Sequence, residues 1–237
     1  MAERNSMTFY YNNTIYFISS GLGAQLSLYQ TQRFLFVEIS ATAKIHCSSK
    51  EKLEAGSTSV YWYSRKRGEV PICIKKCLND QNVSKFACKP ETYSSTLEIY
   101  NAQQSDSGNY YCAVKSHGYL TFGDGSTLIV GDSYIASSWV FLLPPSAHSL
   151  VSTGMVDLAC IVHGISNPVQ ISWNVSEDWQ EQRLMQSLNS KDGSLMLISH
   201  ISIPRDTWTS AKTFTCEVKF NSSGNKVKKS ASYIECE

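Results

Sequence analysis

Eight cysteines are the residues of this sequence with the widest chemical range, since a thiol can bind a metal, act as a nucleophile or form a disulfide. Structural zinc sites need two close pairs of ligands, but no Cys-x-x-Cys pair occurs and the five histidines are scattered. We therefore expect disulfides, an oxidising compartment, and neither a metal nor another cofactor. The cysteines are Cys47, Cys73, Cys77, Cys88, Cys112, Cys160, Cys216 and Cys236.

Nucleophilic catalysis would need a nucleophile, a base and a group that orients the base. His46 precedes Cys47, and His163 follows Cys160 by three positions. In a strand, both spacings put the histidine and the cysteine on opposite faces. The sequence has no Gly-rich phosphate loop and no clustered pair of carboxylates. We predict that the chain is not an enzyme.

The composition favours an extracellular protein. The chain has 237 residues, a net charge of +1 and a pI of about 7.5, whereas binding to nucleic acid or an anionic membrane would call for a basic excess. No apolar run approaches the ~20 residues of a membrane helix, so we expect no direct membrane insertion. We expect the chain to be secreted or to lie at the extracellular face of the plasma membrane. Sequons predict glycans on Asn82, Asn174 and Asn221.

Hydrophobic periodicity predicts an all-β fold. Alternation with a period of two occurs in AKIHC, STLEIYN, MVDLAC, VQISWNV and TFTCEVKF, and no stretch of 12 or more residues keeps helical spacing. Residues 1–23 contain only the short apolar core TIYFI and are interpreted as a leader-like or unstructured extension.

A Cys…Trp…Cys spacing occurs twice, first with intervals of 15 and 50 residues and then with intervals of 13 and 43 residues. This pattern resembles the immunoglobulin sandwich, in which two cysteines bridge the sheets and the indole packs against the disulfide. The longer copy resembles a variable-type domain and the shorter a constant-type domain, which implies two sandwiches in tandem. The resemblance implies the disulfides Cys47–Cys112 beside Trp62 and Cys160–Cys216 beside Trp173.

Longer stretches resemble antigen receptors. STSVYWYSRKRGEVP, PETYSSTLEIYNAQQSDSGNYYCAV and YLTFGDGSTLIV are similar to an antigen-receptor variable domain with its joining segment, and TSVYWY…GEV is most like T-cell-receptor gamma chains. VFLLPPSAHSLVSTGMVDLACIV and SKDGSLMLISHISIPRDTW are similar to the constant domains of kappa and lambda light chains, although Phe214 stands where those have a tyrosine. The resemblances imply domains at 24–131 and 139–237 and a linker at 132–138.

The resemblance to the constant half implies an immunoglobulin light chain that pairs with a heavy chain through both domains to form an antigen-binding site. The alternative is a T-cell-receptor gamma-like chain that pairs with a delta-type chain on a T cell. The variable half favours this alternative, but the constant domain sets the class of partner and is weighed more. An innate or adhesion ectodomain is disfavoured by the joining-type Phe-Gly-x-Gly at 122–125.

By position in such domains, antigen would contact three loops at one end of the variable sandwich, at about 48–58, about 76–83 and 114–119. The residues expected to contact antigen are Lys50, Glu51, Lys52, Asn79, Asp80, Lys115, Ser116, His117 and Tyr119.

Alternation also places large aromatic groups away from the core of their own domain, because Tyr63 is next to Trp62 and Tyr111 is next to Tyr110. Large apolar groups on an outward face suggest an interface with a partner. By resemblance, this interface comprises Tyr63, Pro71, Tyr111 and Phe122 in the variable half, and Phe141, Leu143, Ala159 and Ile161 in the constant half.

Three cysteines have no counterpart in the light-chain pattern. Cys77 and Cys88 flank the second loop and are the favoured disulfide, with Cys73–Cys88 as the alternative; one of the three must stay free or pair with another molecule. Cys236, the next-to-last residue, stands where light chains carry the cysteine that bonds to the heavy chain. The resemblance therefore implies a disulfide-linked heterodimer.

Overall fold

The computed structural model describes residues 10–11, 14–15, 27–53, 59–66, 68–77, 84–116, 119–146, 154–175, 178–181, 185–189, 193–210, 213–224 and 226–233. Most of these residues form two β-sandwiches in tandem, which confirms the all-β prediction. Within these ranges, no helix is both long enough and apolar enough to cross a membrane.

A short hairpin lies within the segment 1–23, for which a leader-like or unstructured extension is predicted. It consists of β1 (Tyr10–Tyr11) and β2 (Thr14–Ile15), which pair antiparallel. The rest of that segment lies outside the described residues.

The first sandwich packs two sheets face to face. Its strands are β3 (Leu28–Tyr29), β4 (Phe34–Val37), β5 (Ala43–Ser49), β6 (Ser59–Arg65), β7 (Ile72–Lys76), β8 (Phe86–Pro90), β9 (Ser94–Ile99), β10 (Gly108–Ser116), β11 (Tyr119–Phe122) and β12 (Ser126–Val130). One sheet has the order β4-β12-β10-β6-β7, with β11 paired to β10, and the other has the order β3-β5-β9-β8. A 3₁₀ turn at Gln104–Asp106 precedes β10.

The core of the first sandwich is centred on the Cys47–Cys112 disulfide, whose Cα atoms are 6.2 Å apart. Closing a loop with a sequence separation of 65 residues stabilises the fold by about 4 kcal/mol in the chain-entropy model. Trp62 is fully buried beside the disulfide, and its indole Nε1 donates a hydrogen bond to Ser95 Oγ at 3.4 Å. Burial in β5 alternates strictly, so Ala43, Ile45 and Cys47 face the core and Lys44, His46 and Ser48 face outward.

Tyr110 fastens β10 to the 3₁₀ turn that precedes it, because its buried hydroxyl donates to the carbonyl of Asp106 at 2.6 Å. Burial raises the pKa of Tyr110, and the Asp106 carboxylate raises it further, so the hydroxyl stays protonated and able to donate. At the corresponding place in the second sandwich, Phe214 is fully buried and packs on Trp208 with ring centres 5.2 Å apart. Apolar contact replaces the hydroxyl there.

The second sandwich also has two sheets. Its elements are β13 (Tyr134–Leu143), β14 (Met155–Ile165), β15 (Gln170–Val175), β16 (Asp178–Glu181), β17 (Met185–Asn189), β18 (Leu195–Pro204), α1 (Arg205–Thr209), β19 (Thr213–Lys219) and β20 (Lys226–Ser232). The sheet orders are β13-β14-β18-β17 and β16-β15-β19-β20. The Cys160–Cys216 disulfide joins them, with Cα atoms 6.3 Å apart, and the buried Trp173 donates to Ser199 Oγ at 2.9 Å.

The linker expected at 132–138 is largely part of the second sandwich, which corrects that prediction. β13 begins at Tyr134, which pairs with Ile165 of β14. Ser138 is buried, and its hydroxyl donates to the carbonyl of Gly164 at 2.5 Å. A serine-rich run suggests a linker, but the hydroxyls of Ser133 and Ser138 donate to carbonyls of the second sandwich.

Candidate recognition and pairing surfaces

The first expected recognition loop follows β5. Lys50 and Lys52 are exposed, and the Lys50 ammonium lies 5.6 Å from the centre of the Tyr29 ring. Glu51 is half-buried, and its carboxylate accepts a hydrogen bond from the backbone N–H of Ser27 at 3.1 Å. Glu51 therefore has a structural contact, whereas the two lysines have charged groups available to a ligand.

The second expected loop is closed at its base by a disulfide. Cys77 follows β7 and Cys88 lies in β8, and their Cα atoms are 5.4 Å apart. Since β7 and β8 are edge strands of different sheets, this bond fastens the two sheets together at the loop, and it is the pairing that the sequence favoured. Asn79 and Asp80 lie outside the described residues.

The third expected loop is shorter than predicted. β10 continues to Ser116 and β11 begins at Tyr119, and these two residues pair across the hairpin. Val114 is fully buried because it shares the inward face of β10, so it belongs to the core rather than to a loop, which corrects the predicted start. Lys115 is exposed, and His117 lies outside the described residues.

Strand register brings the bases of the second and third loops to one end of the sheet. Lys115 pairs with Ser59, and Tyr61 pairs with Lys76, so the end of β10, the start of β6 and the end of β7 lie side by side. The Lys76 ammonium lies 5.5 Å from the centre of the Tyr61 ring. The arrangement suits a composite recognition surface at this end.

The outward face of the same sheet carries the aromatic residues expected at a partner interface. Tyr63 and Phe122 meet edge to face, with ring centres 5.3 Å apart, and Pro71 is half-buried. Tyr111 also lies on this face but is only 8% exposed. It is covered by Gly125 at φ +89°, where an added Cβ would lie 2.5 Å from the Tyr111 ring. Tyr111 thus packs below the exposed aromatic residues and offers little surface to a partner.

Cys73 lies beside this aromatic face, since it pairs with Tyr63 in the register of β6 and β7. Its side chain is exposed, and among the described cysteines it is the one outside a disulfide. Partial desolvation raises the pKa of the Cys73 thiol, which favours the protonated form. Cys236, the expected interchain cysteine, lies outside the described residues.

In the second sandwich, the sheet that contains β13 and β14 presents apolar side chains outward. Phe141 is 49% exposed and Leu143 48% exposed, and they pair with the half-buried Ile161 and Ala159 respectively. All four residues predicted for a constant-domain interface therefore lie on one surface.

The same surface holds three further large apolar residues that the sequence did not predict there. Trp139, Met155 and Leu188 are each between 43% and 49% exposed, and Trp139 stacks on His163 with ring centres 5.1 Å apart. Alternation with Phe141 would have placed Trp139 on this face, but the boundary assumed for the linker put it at the very start of the domain. We call this surface the apolar face: Trp139, Phe141, Leu143, Met155, Ala159, Ile161 and Leu188.

Two of the three predicted glycosylation sites are among the described residues. Asn174 is half-buried in β15, on the sheet opposite the apolar face. Asn221 is 9% exposed, and its Nδ2 donates to Asp132 Oδ2 at 2.8 Å. Asn82 lies outside the described residues. No group of metal-binding side chains occurs in the part of the protein that the structure describes.

Two sandwiches, each with a disulfide between its sheets and a tryptophan packed beside it, define an immunoglobulin-type protein. Residues 30–131 match the family model of the immunoglobulin V-set domain, and residues 140–223 match that of the immunoglobulin C1-set domain. The chain belongs to the immunoglobulin superfamily, as an antigen-receptor-like chain with a variable-type domain followed by a constant-type domain.

The protein is 30% identical over 120 residues to the C region of the Ig mu chain of Suncus murinus, across 49% of this chain and 26% of that protein. It is 23% identical over 181 residues to the immunoglobulin delta heavy chain of Homo sapiens, across 71% of this chain and 32% of that protein. It is 36% identical over 86 residues to neogenin of Mus musculus, across 36% of this chain and 6% of that protein. The chain therefore spans about a third or less of the length of these relatives.

Proposed function

We propose that the chain is one half of a two-chain antigen receptor, an immunoglobulin light chain that pairs with a heavy chain through both domains. The observation that carries the proposal is the apolar face, where Trp139, Phe141, Leu143 and Leu188 each have nearly half of their surface exposed to water. Soluble proteins rarely leave so many large apolar groups together on one sheet unless another protein covers them.

The two domains offer complementary surfaces for such a partner. The variable domain contributes the Tyr63 and Phe122 rings, and the constant domain contributes the apolar face. A stable interface buries about 800 Å² on each partner, with a few aromatic anchors supplying most of the binding free energy. Tyr63, Phe141 and Trp139 are the anchors that we expect.

The light-chain assignment is supported by the constant half, whose VFLLPPS and SKDGSLMLISHISIP stretches are similar to kappa and lambda chains. The second candidate, a T-cell-receptor gamma-like chain that pairs with a delta-type chain, is supported by TSVYWY…GEV in the variable half. In either case the loop end binds antigen, with Lys50, Lys52 and Lys115 as its exposed charged contacts. Cys236 would make the pair covalent, and the pair would be secreted or held at the cell surface by the partner.

Co-expression with candidate heavy chains and with delta-type chains in a secretory cell line tests this proposal. We expect a heavy-chain heterodimer on size-exclusion chromatography and on non-reducing electrophoresis. Phe141→Lys should abolish assembly because it places a charge on the apolar face. Tyr93→Lys is the matched control, since Tyr93 is also 49% exposed but lies in the variable domain, in the turn between β8 and β9.

Assembly with a delta-type partner alone would favour the second candidate. A protein that stays monomeric with every candidate, or a Phe141→Lys variant that assembles normally, would contradict the proposal.

A further inference from the structure

The turn between β19 and β20 contains the sequon Asn221-Ser222-Ser223, and each of its residues makes a polar contact. Asn221 Nδ2 donates to Asp132 Oδ2 at 2.8 Å, at the junction of the two domains. The Ser222 hydroxyl donates to the carboxylate of Glu38 in the variable domain. The Ser223 hydroxyl donates to Asn221 Oδ1 at 2.6 Å and so fixes the orientation of the amide. We call these five residues the elbow clasp.

The acceptor of the Asn221 amide is itself held in place. Asp132 Oδ1 accepts a hydrogen bond from the backbone N–H of Tyr134 at 2.9 Å, so one carboxylate joins the first residues of the constant domain to the turn. Next to the turn, the Lys219 ammonium lies 4.3 Å from the centre of the Phe36 ring in the variable domain. The clasp thus belongs to a wider set of contacts between the two domains.

An N-linked glycan would be attached at the same atom that forms the clasp, Asn221 Nδ2. The remaining N–H could still point to Asp132, but the first sugar ring would need open space beside a residue that is only 9% exposed. An unfolded chain exposes this sequon, whereas the folded protein buries its amide. By contrast, Asn174 is half-buried in β15, an inner strand of its sheet, and its side chain takes no part in the clasp.

We propose that the Asn221 sequon acts as a structural clasp of the interdomain elbow, and that a glycan on Asn221 and a closed clasp exclude each other. A molecule that folds with the clasp closed carries no glycan at Asn221, and a molecule glycosylated there has an open elbow. The sequence predicts a glycan on Asn174 and on Asn221 alike, whereas the proposal excludes a glycan on Asn221 in molecules whose clasp is closed.

The test uses the full-length protein secreted from mammalian cells. Peptide mapping after enzymatic deglycosylation in ¹⁸O-labelled water measures the occupancy of Asn221 and Asn174. Amide hydrogen exchange at Ser133 and Tyr134 reports the clasp, because these amides donate to Phe220 O and to Asp132 Oδ1. Where peptide mapping finds a fraction glycosylated at Asn221, lectin affinity separates it, in a variant that lacks the other sequons, before the exchange measurement.

Two variants separate the glycan from the clasp. Asn221→Ala removes both and should speed exchange at Ser133 and Tyr134 by about tenfold, the effect of losing a hydrogen bond to a charged group. Ser223→Ala removes the sequon and the hydroxyl that orients the amide but keeps the Asn221 amide, so its exchange should lie between that of the unglycosylated wild-type protein and that of Asn221→Ala. A fraction glycosylated at Asn221 should exchange as fast as Asn221→Ala. Slow exchange in that fraction, or unchanged exchange in Asn221→Ala, would overturn the proposal.

Discussion

Two outward sheet faces of this protein differ sharply in chemistry. On the sheet β3-β5-β9-β8 of the variable domain, Glu98 is surrounded by polar partners: Lys89 Nζ at 2.8 Å, Lys44 Nζ at 3.5 Å and the Tyr100 hydroxyl at 2.8 Å. We call these four residues the ionic face. On the sheet β13-β14-β18-β17 of the constant domain, the outward side carries the apolar face.

The difference lies in whether the outward side chains of a sheet find their contacts within their own domain. On the ionic face, Glu98 is only 3% exposed although it lies on the outward side, because the neighbouring lysines cover it and satisfy its oxygens. On the apolar face, Phe141 and Leu143 keep about half of their surface in contact with water. Both sheets have inward apolar residues, so the outward residues alone distinguish a solvated face from one that a partner would cover.

The largest expected effect comes from truncating an anchor of the apolar face. Phe141→Ala should weaken binding to the partner by about 30-fold or more, as for an interface residue worth at least 2 kcal/mol. The melting temperature of the unpaired protein should change little, because the side chain is already half exposed. Titration calorimetry with the purified partner and thermal unfolding of the free protein measure the two quantities.

Lys89→Ala is the control from the ionic face and should leave the affinity for the partner unchanged. Equal weakening by Lys89→Ala and Phe141→Ala would remove the distinction between the two faces. So would a fall in the stability of the free Phe141→Ala variant that accounts for the whole loss of binding.

Much of the fold could be predicted because it depends on local patterns. The Cys…Trp…Cys spacing and the alternation around Cys47 and Cys160 are visible in the sequence and correspond to the two buried cores. The start of β13 was missed because serines can satisfy hydrogen bonds in a loop or in a sheet, and Ser138 does so in the sheet. That error also concealed Trp139 as part of the apolar face.

The finer features depend on which strands become neighbours and in which register, and local sequence patterns do not reveal this. Glu98 has its partners because β9 lies between β5 and β8, which brings Lys44 and Lys89 to the same carboxylate. Tyr111 was correctly placed on an outward face, but only the fold shows that Gly125 covers it.

A smaller effect is expected from removing the centre of the ionic face. Glu98→Ala should lower the free energy of unfolding by about 1–2 kcal/mol, because it leaves the ammonium groups and the Tyr100 hydroxyl without their common acceptor. For a domain of this size, each kcal/mol corresponds to roughly 4–8 °C in melting temperature. Glu69→Ala, at an exposed position, should change the stability by less than about 0.5 kcal/mol. Similar losses for both variants would show that the Glu98 network adds no stability.

The smallest effect is the pH dependence of that network. The hydrogen bond from Lys89, together with that from Tyr100, holds the pKa of Glu98 below its ordinary value of 4.5. The folded state therefore favours the carboxylate, so this stabilisation is complete at neutral pH and disappears as the pH falls below about 4.5 and through the lowered pKa. The difference in melting temperature between the wild-type protein and Glu98→Gln should be constant from about pH 7 to about pH 5.5 and should shrink below about pH 4. Thermal unfolding of both proteins across this range measures it, and a difference that stays the same in acid would show that ionised Glu98 does not stabilise the ionic face.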